Sequence, residues 1–168
     1  MIKYSIIVPT FKHFEDCLKP CIESIINHTN LRETEVIVVA NGCGDDGITE
    51  YIKSLGAPFM LIELEEPSGF THSTNLGINS AVGEYVVLLN NDNVIQGSDW
   101  LSILVSPFEN DPSVGITGAA KAYHLPTSSE FILFFCAMIR KSIFKHLGLP
   151  DEIFNPGYGE DIDFCIKV

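Results

Sequence analysis

Mainly apolar runs, separated by stretches in which apolar residues recur every third or fourth position, set the rhythm of the first ninety residues. Runs at 2–8, 36–39, 59–64 and 85–89 are rich in Val, Ile and Leu, as strands covered on both faces require. After the first run, Phe14, Cys17, Leu18, Cys21, Ile22, Ile25 and Ile26 fall on one helical stripe. Pro20 lies inside that stripe. Either the helix opens near it, where proline suits a first position, or a short turn precedes it. A weaker helical segment at 48–55 follows the second run, and Phe70, Thr74, Gly77, Ile78 and Ala81 form a helix face leading into the fourth. Four strands alternating with three helices predict βαβ units, an α/β fold with a mainly parallel, doubly wound sheet.

The second half loses this rhythm. Its pattern predicts a helix at 99–108, a strand at 114–120, a loop at 123–130, one long strand at 131–139, and a short helix at 141–147 with Gly148 as its C-cap. Beyond Pro150, residues 151–164 place five carboxylates in fourteen positions. With no internal repeat or low-complexity linker, the chain reads as one continuous domain with halves at 1–93 and 94–168.

Polar residues concentrate where the strands end. The run at 85–89 stops at Asn90-Asn91-Asp92-Asn93. In open α/β sheets the crevice beyond the strand ends is where ligands sit, and a carboxylate there can hold a hard divalent cation beside phosphate oxygens. The same edge collects Thr10, Asn41, Asp45 and Ser68. Asn and Asp also populate turns for local hydrogen-bonding reasons, which is the competing account of each.

Composition narrows the partners. Ten basic against 22 acidic residues give a net charge of −12, which disfavours nucleic acid and anionic membranes. A phosphorylated ligand must then be met by backbone N–H groups, a helix N-terminus or a metal. The five cysteines are odd in number and scattered, as suits a reducing compartment. Cys17 and Cys21, four apart on the helical stripe, read as core packing rather than metal ligands. The five histidines form no ligand pattern. No apolar run approaches the roughly 20 residues of a membrane span and no signal-peptide region opens the chain, so a cytoplasmic protein is expected.

Ser5-Ile6-Ile7-Val8-Pro9-Thr10-Phe11, Val38-Val39-Ala40-Asn41-Gly42-Cys43-Gly44-Asp45, Gly69-Phe70 with Asn75-Leu76-Gly77-Ile78, Asn90-Asn91-Asp92 and Gly159-Glu160-Asp161-Ile162-Asp163 occur in that order. Together they resemble the family 2 glycosyltransferases of the GT-A fold along nearly the whole chain. The resemblance implies a GT-A type, Rossmann-like, mainly parallel mixed sheet with helices on both faces. It makes 1–93 the nucleotide-sugar-binding half and 94–168 the acceptor-side half, the latter truncated at its C-terminal end relative to family members. It implies nucleotide contacts at Pro9, Thr10, Phe11, Asn41, Asp45, Gly69, Asn75 and Asn91, and Mn²⁺ or Mg²⁺ on Asp92, with Asn90 as a second ligand candidate. Asp161 takes the place of the catalytic base, with Glu160 and Asp163 as supporting acids. Three positions depart from the family pattern: Ala40 and Asn90 each replace an Asp, and Thr74 replaces an Arg.

The implied reaction is inverting transfer from a UDP-, GDP- or dTDP-sugar to a glycan or lipid-linked acceptor, in the cytoplasm or at the inner face of a membrane. The C-terminal end leads to the expectation of bare apolar surface around Phe154, Tyr158 and Phe164, and hence of a homodimer. The alternative is a non-catalytic module that binds the nucleotide sugar. A pyrophosphorylase would want a glycine-rich basic loop where Pro9-Thr10-Phe11-Lys12-His13 stands, and a dehydrogenase a G-x-G-x-x-G after a strand, which no strand here precedes.

Overall fold

The computed structural model describes residues 1–44, 46–124 and 129–168. In its first half the chain runs β1 (Tyr4–Thr10), α1 (Lys19–His28), β2 (Thr34–Asn41), α2 (Ile48–Leu55), β3 (Phe59–Leu64), α3 (Phe70–Ser80) and β4 (Tyr85–Leu89). The second half runs α4 (Trp100–Asn110), β5 (Ile116–Gly118), β6 (Lys121–His124), β7 (Ser129–Ile132), β8 (Cys136–Arg140), α5 (Lys141–Leu147) and α6 (Glu160–Lys167). The main sheet has the order β3-β2-β1-β4-β8-β5. Its first four strands are parallel, whereas β8 pairs antiparallel with both β4 and β5. β6 and β7 form a separate antiparallel ribbon.

Successive side chains of a strand point to opposite faces, and here both faces are covered. Ile6, Val8, Val87 and Leu89 pack with Ile22 and Ile25 of α1, Ile52 of α2, and Leu104 and Phe108 of α4. On the other face Ile7, Val39, Val86 and Leu88 pack with Ile78 of α3, Phe144 of α5 and Phe164 of α6. This two-sided burial is why residues 6–8 of β1, 36–40 of β2 and all of β4 are apolar. Gly77 sets the distance of α3 from the sheet, since a Cβ there would stand 2.3 Å from Ile7 Cγ2. At the opposite end of the strands from the polar cluster, the buried Glu35 accepts hydrogen bonds from Ser5 Oγ (2.5 Å) and the Val82 N–H (2.7 Å). Ser5 Oγ in turn accepts from the Gly83 N–H at 2.8 Å, fastening the turn into β4.

The helical stripe from Phe14 divides near Pro20, as expected: a wide π-type turn, Phe14–Leu18, precedes α1, and Pro20 sits in the first turn of α1. Three expectations need correction. The apolar stretch 131–139 is not one strand. β7 leaves off at Ile132, a turn at Phe134 and Phe135 follows, and β8 begins at Cys136. The first part pairs with β6 and the second enters the main sheet, and no polar residue marks the break. The stretch 123–130 begins and ends in strand rather than loop, and residues 125–128 lie outside the described residues. Finally, Phe164 is fully buried, its ring centre 6.0 Å from that of Phe134 and 5.5 Å from that of Phe144. Of the three aromatics expected to be bare, only Tyr158 is strongly exposed, at 96%. Among the described residues no helix is long and apolar enough to cross a membrane.

Candidate active site

The carboxyl ends of β1, β2 and β4 converge on one cleft. Asn91 Nδ2 donates to Thr10 Oγ1 at 2.8 Å, joining the ends of β4 and β1. Asn41 Oδ1 accepts from the Ser68 N–H (2.8 Å) and from Ser68 Oγ (3.1 Å), drawing the loop before α3 against β2. Gly42, at φ +66°, makes that approach possible, because a Cβ would meet the Pro67 nitrogen at 2.4 Å. Pro9, Thr10, Phe11, Asn41, Gly69 and Asn91 line a cavity of about 390 Å³. Six of the residues expected at the nucleotide thus share one wall. Phe11 is 44% exposed, and the Lys12 ammonium lies 5.0 Å from the centre of its ring.

Two others do not join them. Asp45 lies outside the described residues. Asn75 does not line the cavity: it is 4% exposed, and its Nδ2 donates to the Pro150 carbonyl (2.9 Å) and to Glu152 Oε1 (3.0 Å). Its face of α3 meets the segment after Pro150, so the amide nitrogen ties these two elements together, while Oδ1 is buried without a partner. That segment also occupies the start of α3. The Phe70 N–H donates to the Pro156 carbonyl at 2.8 Å and the His72 N–H to Asn155 Oδ1 at 3.3 Å. Backbone donors that could have met a phosphate are therefore engaged within the chain.

A second cavity, of about 590 Å³, continues from the first, with Phe70, Asn90 and Pro156 lining both. Phe131, Leu133 and Phe135 supply one apolar wall and Tyr158 another, while Glu160 and Asp161 close it at the start of α6. The aromatic wall is the part that sequence patterning misses. Its signal was the run Phe131-Ile132-Leu133-Phe134-Phe135, which carries too many large side chains for a strand to bury on both faces.

Burial pushes the carboxyls of Glu160 and Asp161 above their ordinary values. For Glu160 the neighbouring Asp161 charge adds to this, and its Oε2 is buried without a hydrogen-bond partner. Asp161 Oδ1 accepts from the Ile162 N–H at 2.8 Å. Asp163, expected as a supporting acid, lines neither cavity. It is paired with Lys167 one turn along α6.

The end of β4 divides its polar residues. The Asn90 N–H donates to the Phe135 carbonyl at 2.8 Å, and Asn93 Nδ2 donates to the carbonyls of both Asn90 and Phe135 at 3.1 Å. So held, Asn90 stands at the junction of the two cavities with its Oδ1 buried and unpartnered. Asp92, expected as the principal metal ligand, is exposed and lines neither cavity. Burial pushes up the thiols of Cys17 and Cys21, and the Asp92 charge adds to this, after that of Asp16 in the case of Cys17. Asn90 Oδ1 is a hard oxygen donor in the cleft, of the kind Mg²⁺ or Mn²⁺ takes, and Asp92, outside both cavities, would have to turn toward it to share an ion. Cys21 and Cys136 are core residues, their thiols pushed by burial up to about 12 and about 11.

A family model described as glycosyl transferase family 2 matches residues 5–132, from β1 to the end of β7. The O-antigen biosynthesis protein RfbC of Myxococcus xanthus is 30% identical over 69% of this chain and 9% of RfbC. The crystal structure of S. aureus TarS 1–349 has a TM-score of 0.75 at 19% identity, covering 99% of this chain and 55% of that one. That of GalNAc-T7 with UDP, GalNAc and Mn²⁺ has a TM-score of 0.84 at 15% identity, covering 99% and 40%. The chain spans no more than 22% of the length of the curated relatives it matches. The solved neighbours share its mixed sheet and are glycosyltransferases of the GT-A fold. On the family match, which takes in β1, β2, β4 and their polar ends, the chain belongs to glycosyl transferase family 2.

Proposed function

We propose that this domain transfers a sugar from a nucleoside-diphosphate donor to an acceptor hydroxyl with inversion at the anomeric carbon. One observation carries the reading: a continuous cleft joins the polar strand ends to Asp161 through the shared residues Phe70, Asn90 and Pro156. The donor nucleotide lies on the side lined by Pro9, Thr10, Phe11, Asn41 and Asn91, and the acceptor on the aromatic side beside Asp161. Asn90 and Asp92 would hold Mn²⁺ or Mg²⁺, which when bound supplies Lewis acidity toward the departing diphosphate. The structure of GalNAc-T7 with UDP and Mn²⁺ supports that choice of partners.

In the reaction the acceptor oxygen bonds to the anomeric carbon from the face opposite the diphosphate. The bond from that carbon to the diphosphate oxygen breaks, and the nucleoside diphosphate leaves with the electron pair. Asp161 takes the hydroxyl proton. Its raised affinity for a proton makes it a stronger base than a solvated aspartate, and a positioned base of this kind contributes about 10²–10⁴-fold. Glu160, buried beside it at the start of α6, is a second acid whose proton affinity burial raises. UDP-, GDP- and dTDP-sugars are the donor candidates, and a glycan or a lipid-linked glycan the acceptor.

The test is nucleoside-diphosphate release from a panel of those donors with Mn²⁺, alongside calorimetric binding of the nucleoside diphosphates. Asp161→Asn is expected to lose release by at least about 10²-fold while keeping nucleotide affinity, because holding the diphosphate and deprotonating the acceptor are separate tasks. Release at the parental rate would remove Asp161 from the mechanism. A second reading, a module that binds donor without transferring it, draws on the small share of the relatives that this chain spans. It predicts nucleotide binding with no release from any donor.

A further inference from the structure

The loop after β1 carries a cluster that sugar transfer does not use. His13 Nδ1, a carboxylate oxygen of Asp16 and Cys17 Sγ all lie within 4.8 Å of one another, with His13 Nδ1 3.1 Å from Asp16 Oδ2. We propose that these three side chains form a binding site for a borderline-soft divalent ion of the zinc type, separate from the oxygen donors at the end of β4.

Local structure gathers them. Positions i, i+3 and i+4 share a face of a helical turn, and the π-type turn Phe14–Leu18 supplies it, closed by the Leu18 N–H donating to the His13 carbonyl at 3.1 Å. Lys12 and His13 both adopt left-handed backbone, φ 59° and 55°, a region that non-glycine residues seldom enter. That pair of residues folds the imidazole back over Asp16 and Cys17. The separation of histidine from cysteine in sequence, read as lacking a ligand pattern, hides this arrangement.

One nitrogen, one oxygen and one sulfur make a donor set suited to Zn²⁺ or Co²⁺, whereas Mg²⁺ and Mn²⁺ take oxygen. Bond lengths of about 2.0–2.3 Å place ligand atoms roughly 3–4 Å apart around a tetrahedral ion. The present spacing closes to that by side-chain rotation alone, since the His13 and Asp16 side chains are 66% and 67% exposed. Water completes the coordination, and binding releases the Cys17 proton to solvent. Phe11 lines the cleft two residues before His13, so an ion here would clamp that wall from outside.

The experiment uses the whole chain, reduced, with excess Mg²⁺ to occupy oxygen-only sites. It is titrated with Co²⁺ and then with Zn²⁺ against a chromophoric chelator. One Co²⁺ per chain is expected, with a near-ultraviolet sulfur-to-cobalt charge-transfer band that one equivalent of Zn²⁺ bleaches. Cys17→Ser should abolish the band and His13→Ala weaken Zn²⁺ at least about tenfold, while Cys43→Ser leaves both unchanged and Asp92→Asn keeps the band. Absence of the band, its survival in Cys17→Ser, or its loss in Asp92→Asn would overturn the site. None of these readouts depends on transferase activity.

Discussion

Glu160 is a carboxylate buried to 6% exposure beside a second acid, and its consequence for stability has a definite sign. Burial raises its proton affinity in the folded state above the unfolded value, so the native state binds the proton more tightly. The resulting contribution is fully present below its ordinary value of 4.5 and is lost as pH rises through the higher folded value. At pH 7 the ionised side chain is therefore a burden on the fold. Glu160→Gln is expected to raise the melting temperature at pH 7 by about 2–4 °C, the shift that roughly 1 kcal/mol produces in a domain of this size. At pH 4 the gain should vanish. For Asp161 the same direction governs activity: the acid limb of nucleoside-diphosphate release should fall above the value of 3.8 ordinary for aspartate, and a limb at or below it would contradict the base assignment. Thr10, Asn41 and Asn91 were legible as cleft-lining residues because a polar residue ending a buried strand can face only the sheet's edge. The bonds of Asn75 to Pro150 and Glu152 were not, since they depend on a segment far along the chain.

Gly77 shows what a single element contributes. The methyl of alanine would overlap Ile7 Cγ2, and Ile7 is β-branched with little rotamer freedom to give way. α3 must then lift from β1, at about 1–3 kcal/mol of overpacking. Alanine's better helix propensity returns only about 1 kcal/mol. Gly77→Ala is thus expected to lower the urea midpoint with an unchanged slope, and an equal or higher midpoint would show that the contact relaxes freely. Elements β1, β2 and β4 were readable because strands covered on both faces must be apolar where they cross the core. The same logic failed at 131–139, where the turn between two strands is itself apolar, so hydropathy alone carries no punctuation. Before α1, Pro20 marked the break, but not the π-type turn that brings Cys17 near His13.

For the whole molecule, charge decides how a diphosphate is held. The net charge is −12, the start of α3 is engaged by Asn155 and Pro156, and Lys12 at the rim is the cation beside Phe11. Chelating the divalent ion should weaken nucleoside-diphosphate binding, and raising ionic strength should recover part of the loss by screening. Asp92→Asn should remove the Mn²⁺-dependent share of affinity, as calorimetry with and without Mn²⁺ would measure. Undiminished dependence on Mn²⁺ would leave Asn90 to hold the ion without it. The two walls of the cleft also differ in how they are fastened. The nucleotide wall grows from β1, β2 and β4 in the middle of the sheet, whereas α6 rests on β7 of the two-stranded ribbon, with the Ile132 N–H donating to Cys165 Sγ at 3.4 Å. A lone ribbon of this kind has marginal stability, and local openings follow such differences. In native-state hydrogen exchange the amides of β1 should therefore keep their protons longest, and those of β7 and α6 trade them for deuterium well before global unfolding. Exchange in that order would give the cleft a fixed bench and a moving jaw, the side that carries Asp161 parting while the strand ends of β1, β2 and β4 stay in place.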